Sequence, residues 1–260
     1  MKLCFTTLGC YERSLDEIIA LTKKYGFDAL EIRGISGELD NAKIDELSCE
    51  NRISTTEKLQ ENGITPIAID TSTYFHKPEK YDSAVAEAMT AIEIAKDMGI
   101  KYVRVFGDKF DLGVEECTKR MISGLTYLCE QAGEVNVLLE IHGECNTIEV
   151  LTPIIEKLSE YKNFGILWDI QHSHRSYGAD WKVFYDYIRP FIKHVHVKDY
   201  SDEREQLCAP GEGSIPIKDI VSTLLNDGYD GYCSLEWEKK WHPELSEIEP
   251  ALDSFVSVMK

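Results

Sequence analysis

Five of the chain's seven histidines lie between His142 and His196, and each falls near an acidic residue that ends a short apolar run. Glu140 and His142 end one run, Asp169 ends the next with His172 three residues on, His194 and His196 share a third, and Glu236 ends the last. Side chains alternate along a strand, so Leu138, Glu140 and His142 share a face, as do Leu167 and Asp169, His194 and His196, and Ser234 and Glu236. If these faces point to a common interior, Glu140, Asp169, His196 and Glu236 converge. Clustered carboxylates repel and lose hydration unless a cation sits among them. Three carboxylates and an imidazole suit one hard-to-borderline divalent ion, Mn²⁺ first, with Co²⁺, Mg²⁺ or Zn²⁺ as alternatives. His196 is nearer the strand end than His194 and is the expected ligand; His194 reads as a satisfied core residue. A lone Glu at a strand end is ordinarily a solvated terminus, and Trp168, Trp237 and Trp241 read as packing residues. The joint occurrence on four successive strands points to the metal.

The elements that must position these residues recur about every 30 residues, the size of one βα unit. Strand-like runs start at Lys2, Ala29, Thr65, Tyr102, Asn136, Phe164, Lys193 and Tyr232. Between them lie helical patterns. Ser14 and Glu17 form a capping box, Tyr81 to Met98 reads as a helix stopping at Gly99, and further helices stop at Gly26, Gly63 and Gly228. An internal echo links Tyr25–Glu31 with Asp227–Glu236: a glycine, an aromatic residue and an aspartate precede an apolar strand ending in Glu. Eight such units predict an α/β fold, a (β/α)8 TIM barrel as a single domain over residues 1–260. The roughly 250 residues of such a barrel use the whole chain, and its active site lies at the C-terminal ends of the strands. Two smaller domains also fit the length, but no linker divides the sequence.

A formal net charge of −18 disfavours nucleic acid and anionic membranes as partners. No apolar run approaches the ~20 residues of a membrane helix. The eight cysteines form no CxxC pair, and no secretory signal is visible at the start. Reduced thiols and a cytoplasmic location are expected.

The segments LLEIHGE (138–144), WDIQH (168–172), HVHVKD (194–199), PGEGSIP (210–216) and CSLEWE (233–238) resemble the xylose isomerase-like TIM-barrel superfamily. They are most similar to its sugar epimerase/isomerase group of D-tagatose 3-epimerase-like, inosose dehydratase-like and hydroxypyruvate isomerase-like enzymes. The resemblance covers essentially the whole chain. It implies the metal set Glu140, Asp169, His196 and Glu236, a substrate contact at His172, and a homo-oligomer, since relatives are often dimers or tetramers. The epimerases carry an arginine soon after the HxH strand; here it is displaced to Arg204, the matching substrate-contact candidate. His142 is a third such candidate. The implied activity is metal-dependent isomerisation or epimerisation of a small keto or aldo sugar through an enediolate, with Glu140 and Glu236 as catalytic base and acid in an order left open. A dehydratase on the same scaffold and a non-catalytic sugar-binding barrel are the alternatives. Gly211 and Gly213 offer either a backbone cradle for a substrate phosphate or a simple turn.

Overall fold

A computed structural model describes residues 1–260. Eight parallel strands form one sheet: β1 (Lys2–Phe5), β2 (Ala29–Ile32), β3 (Thr65–Asp70), β4 (Tyr102–Phe106), β5 (Asn136–Glu140), β6 (Phe164–Asp169), β7 (Ile192–Val197) and β10 (Tyr232–Leu235). Their order, β1-β10-β7-β6-β5-β4-β3-β2, follows the chain around a ring. A single parallel bridge between Thr6 and Glu31 joins β1 to β2 and completes it. The chain is thus a single (β/α)8 barrel. Seven of the eight strands begin at the residue expected from sequence.

The helices α1 (Leu15–Lys24), α2 (Arg52–Glu61), α3 (Tyr81–Met98), α4 (Val114–Ala132), α5 (Ile148–Leu158), α6 (Ile170–Tyr177), α7 (Trp181–Ile188), α8 (Ile217–Asn226) and α9 (Ile248–Val258) surround the strands. Ser14 and Glu17 close the capping box on α1. Gly99 ends α3 with φ 67°, left-handed backbone that a side chain would resist.

Strand seven departs from expectation. It starts at Ile192 and stops at Val197, and Asp199 opens a separate antiparallel hairpin of β8 (Asp199–Ser201) and β9 (Gln206–Cys208). The break frees Lys198 and Asp199 from the ladder and turns both toward other work. The apolar core divides in two. A large cluster packs helices onto the strands' outer faces. Inside the ring only seven residues cluster, among them Cys4, Tyr102, Leu138 and Leu167, because the upper interior is given over to charged side chains. No helix is long and apolar enough to cross a membrane. All eight cysteines are unpaired thiols, and only Cys49 is exposed.

Candidate metal centre and active site

Leu138 and Leu167 lie in the inner apolar layer, and two residues further along each strand Glu140 and Asp169 rise above them. His196 on β7 and Glu236 just after β10 complete the set. One ligand atom from each of Glu140, Asp169, His196 and Glu236 lies within 4.8 Å of the others, and all four residues are buried. The chemistry of this donor set fits a divalent ion. Asp169 Oδ1 caps α6, accepting from the backbone N–H groups of Gln171 (2.8 Å) and His172 (3.1 Å). Its Oδ2, like Glu236 Oε2, instead faces the Lys198 ammonium. A capping bond therefore fixes one oxygen and leaves the other for a cation.

His196 is held from behind. Its Nε2 lies 3.0 Å from Glu31 Oε2, while Nδ1 faces Glu140 Oε1 at 3.1 Å and Glu236 Oε2 at 3.3 Å. Glu31 Oε1 bonds His194 Nε2 at 2.8 Å, so one buried carboxylate orients both imidazoles. A carboxylate behind a ligating histidine fixes its tautomer and orientation. Burial alone would raise the Glu31 carboxyl, but His194 and His196 hold it below the usual carboxylate range. Burial opposes a charged His196, yet Glu236 and Glu31 push its imidazole well above the ordinary value. His194 is a buried core residue, as expected, but only half satisfied: Nε2 has a charged partner that sequence reading missed, and Nδ1 has no hydrogen bond.

Three further groups escaped the sequence reading. Arg104, inside β4, contacts Glu140 (3.2 Å), Glu236 (3.5 Å) and Asp70 (3.7 Å). Burial works against the Glu140 charge, and Arg104 restores it, holding the carboxyl below its usual range. Asp70, fully buried with neither oxygen hydrogen-bonded, is pushed up to about 7 by burial and the Glu31 charge. Lys198 Nζ lies 2.8 Å from Asp169 Oδ2 and 2.5 Å from Glu236 Oε2, and also pairs with Glu238. The chain's own ammonium thus sits among the ligand oxygens and supplies the cation their mutual repulsion calls for. Sequence signals existed: Glu31 and Asp70 end strands like the later carboxylates, and the internal echo pairs Glu31 with Glu236.

The set opens on a cavity of about 220 Å³ lined by Leu8, Arg33, Ser72, Arg104, Phe106, Glu140, His142, Lys198, Glu236, Glu238 and Trp241. His142 lies on its wall, with Nδ1 2.8 Å from the Gly107 carbonyl oxygen. The His172 ring packs 4.1 Å from that of His142, and burial, then Lys198, drives its imidazole well below the ordinary value, so it is neutral. Trp168 and Trp237 are buried as expected, whereas Trp241 is 56% exposed and stands on the cavity wall.

Two expectations meet a different placement. Arg204 is exposed in the turn of the β8–β9 hairpin, bonds the Glu212 carbonyl oxygen at 3.4 Å, and is not among the cavity residues. The glycine loop is not a free phosphate cradle. Asp199 Oδ2 accepts from the N–H groups of Gly211 (2.7 Å) and Gly213 (2.9 Å), and Oδ1 from those of Tyr200 (2.8 Å) and Ile215 (3.3 Å). The loop's amides are spent on an internal carboxylate. A Cβ at Gly213 would lie 2.2 Å from Asp199 Oδ1, which is why glycine stands there.

Comparison with known proteins agrees with this architecture. An inosose isomerase of Halalkalibacterium halodurans is 27% identical over 100% of this chain and 96% of its own. The crystal structure of the IOLI protein with a bound zinc atom superposes with a TM-score of 0.81 at 24% identity, covering 100% of this chain and 98% of that one. A D-tagatose 3-epimerase-like protein superposes with a TM-score of 0.77 at 23% identity, over 99% and 96% of the two chains. The family described as xylose isomerase-like TIM barrel matches residues 19–257. With that span matched and the barrel in place, the chain belongs to the xylose isomerase-like TIM barrel family.

Proposed function

We propose that the protein is a sugar isomerase or epimerase that moves a proton at the carbon beside a carbonyl. The observation that carries this reading is the buried convergence of Glu140, Asp169, His196 and Glu236, of which the two glutamates also line one small cavity. A non-catalytic sugar binder has no need of two opposed carboxylates. At about 220 Å³ the cavity is below the roughly 300–1,000 Å³ of pockets for drug-sized ligands, which suits a small substrate. The inosose isomerase relative is named for a reaction on such a molecule.

Glu140, Asp169, His196 and Glu236 would hold one divalent ion, and the zinc in the IOLI protein supports that role. When bound, such an ion polarises a carbonyl and its neighbouring hydroxyl as a Lewis acid. The rest falls to the chain. One of Glu140 and Glu236 removes the proton next to the carbonyl, and the other returns it to the opposite face or the adjacent carbon. Arg104, touching both carboxylates, keeps them ionised and so free to accept a proton. His172, neutral, and His142 offer hydrogen bonds to substrate oxygens, and Glu31 holds His196 in register.

The test is incubation of the manganese-supplemented protein with a panel of keto sugars in D₂O, followed by NMR and mass spectrometry. Deuterium on the carbon next to the carbonyl, with product mass otherwise unchanged, is the expected result. A product lighter by one water would mark a dehydratase, the activity named for relatives that match about half of this chain. Product without solvent deuterium would mark a hydride shift, and no exchange at all a binding barrel.

A further inference from the structure

The cavity wall carries three cations, and two of them are neutralised. Arg104 and Lys198 each have carboxylate oxygens within 4 Å. Arg33, which follows β2 and is 5% exposed, forms no ion pair. Its Nη1 donates to the Leu39 carbonyl oxygen (3.1 Å) and its Nη2 to the Ser72 hydroxyl (2.7 Å), both neutral acceptors. No carboxylate pairs directly with it. Burial, followed by the nearby Arg104 charge, lowers the guanidinium from its ordinary value and outweighs the opposite pull of the more distant Asp70, Glu87 and Glu236 charges. A buried guanidinium with no directly paired carboxylate is expensive to keep.

A purely structural arginine in this fold is built otherwise. Buried Arg52 ties the Leu47 carbonyl oxygen with Nε and pairs Nη1 with Asp97 at 2.5 Å. Arg33 instead lines the cavity beside Ser72. In ring order β2 lies across from β6, so Arg33 faces the ligand set from the opposite side of the mouth.

We infer that Arg33, with the Ser72 hydroxyl, is an anion subsite that receives a carboxylate or phosphate carried by the substrate at the end remote from its carbonyl. The substrate class is then a keto sugar acid or a sugar phosphate rather than a neutral ketose. The inference deepens the function proposed above and takes from it only the polyhydroxylated carbon chain. A guanidinium fork pairs with either anion through two parallel hydrogen bonds, and the ligand brings the direct ion pair that no carboxylate of the chain makes. The glycine loop does not compete for this role, since Asp199 occupies its amides.

The test is calorimetric titration with three polyols that lack a carbonyl and so are not turned over: sorbitol, sorbitol 6-phosphate and gluconate. Manganese-loaded and metal-free protein are both titrated, which separates any contact made through the ion. At least one charged polyol is expected to bind about tenfold or more tighter than sorbitol in both states, the worth of a charge-assisted hydrogen bond. Which of the two gains identifies phosphate or carboxylate. Arg33→Met should abolish the preference and leave sorbitol binding unchanged. Arg33→Lys keeps the charge without the fork, and it serves if the methionine variant does not fold; part of the preference should survive in it, at reduced affinity. Equal binding of all three polyols by the wild type, or a preference untouched in both variants, overturns the subsite. Loss of the proton-transfer reading would appear in the D₂O experiment and leave this one unaffected.

Discussion

The mouth of the barrel has two unlike halves. Along the arc β5, β6, β7 and β10, each strand end presents one residue of the candidate ligand set, and Asp169 Oδ2 and Glu236 Oε2 are met there by the Lys198 ammonium. Along β2, β3 and β4, the charged residues Glu31, Asp70 and Arg104 face that set and mostly answer to it: Glu31 to His196, Arg104 to Glu140 and Glu236. One arc gathers the carboxylates; the other, with Lys198, balances their charge. The difference teaches that a buried cluster of carboxylates is stable only as half of a charge-balanced ring.

The sharpest way to break this comparison is to mutate each arc and see whether chemistry and scaffolding separate. Glu140→Gln and Glu236→Gln keep size and one oxygen but remove the base; turnover should fall by roughly 10²–10⁴-fold, with manganese still bound, more weakly, by calorimetry. Retained turnover in either variant would take that glutamate out of proton transfer. Arg104→Met should act on stability. It strands Asp70, Glu140 and Glu236 without their shared cation, and breaking a buried charge pair costs about 3–5 kcal/mol. A lowered urea midpoint in metal-free protein, partly recovered with manganese, is the expected signature; an unchanged midpoint would show that Lys198 alone balances the set.

Glu31→Gln sits between these cases. It touches the ligand His196 rather than the ion, and such a change should weaken metal affinity or activity about 10–100-fold. An affinity equal to wild type would place His196 orientation elsewhere. The smallest effect belongs to His172→Ala. Metal affinity should hold, while kcat/KM drops about 2- to 10-fold, the worth of one neutral hydrogen bond. Loss of manganese binding instead would make His172 a ligand.

The two arcs were not equally legible. The ligand arc showed itself because histidines and carboxylates ending apolar runs are conspicuous, and alternation sorts Glu140 from Leu139 and His196 from Val197. The supporting arc hid for a physical reason. Arg104 sits mid-strand in YVRVF, where an alternating polar residue ordinarily marks a solvent-facing side. In a barrel both faces of each strand are covered, so that arginine points inward, and its burial makes sense only with Glu140 and Glu236 supplied from elsewhere in the chain. Glu31 and Asp70 obey the same strand-end rule as the later carboxylates, but no histidine stands beside them in the chain to set them apart from solvated strand ends. The hairpin after β7 was invisible for another reason: HVHVKD reads as one continuous strand, and only the four amides gathered by Asp199 explain the break.

Trp241 has a practical consequence. Trp168, Trp181 and Trp237 are 0%, 5% and 4% exposed, whereas Trp241 is 56% exposed on the cavity wall. Sugars and their isomers are colourless, and their interconversion gives no absorbance signal. The protein nonetheless carries an intrinsic fluorophore at the door of its cavity, spectrally set apart from three indoles in apolar surroundings. Acrylamide quenching will act first on Trp241, and its relief on adding a ligand turns occupancy into a label-free optical readout.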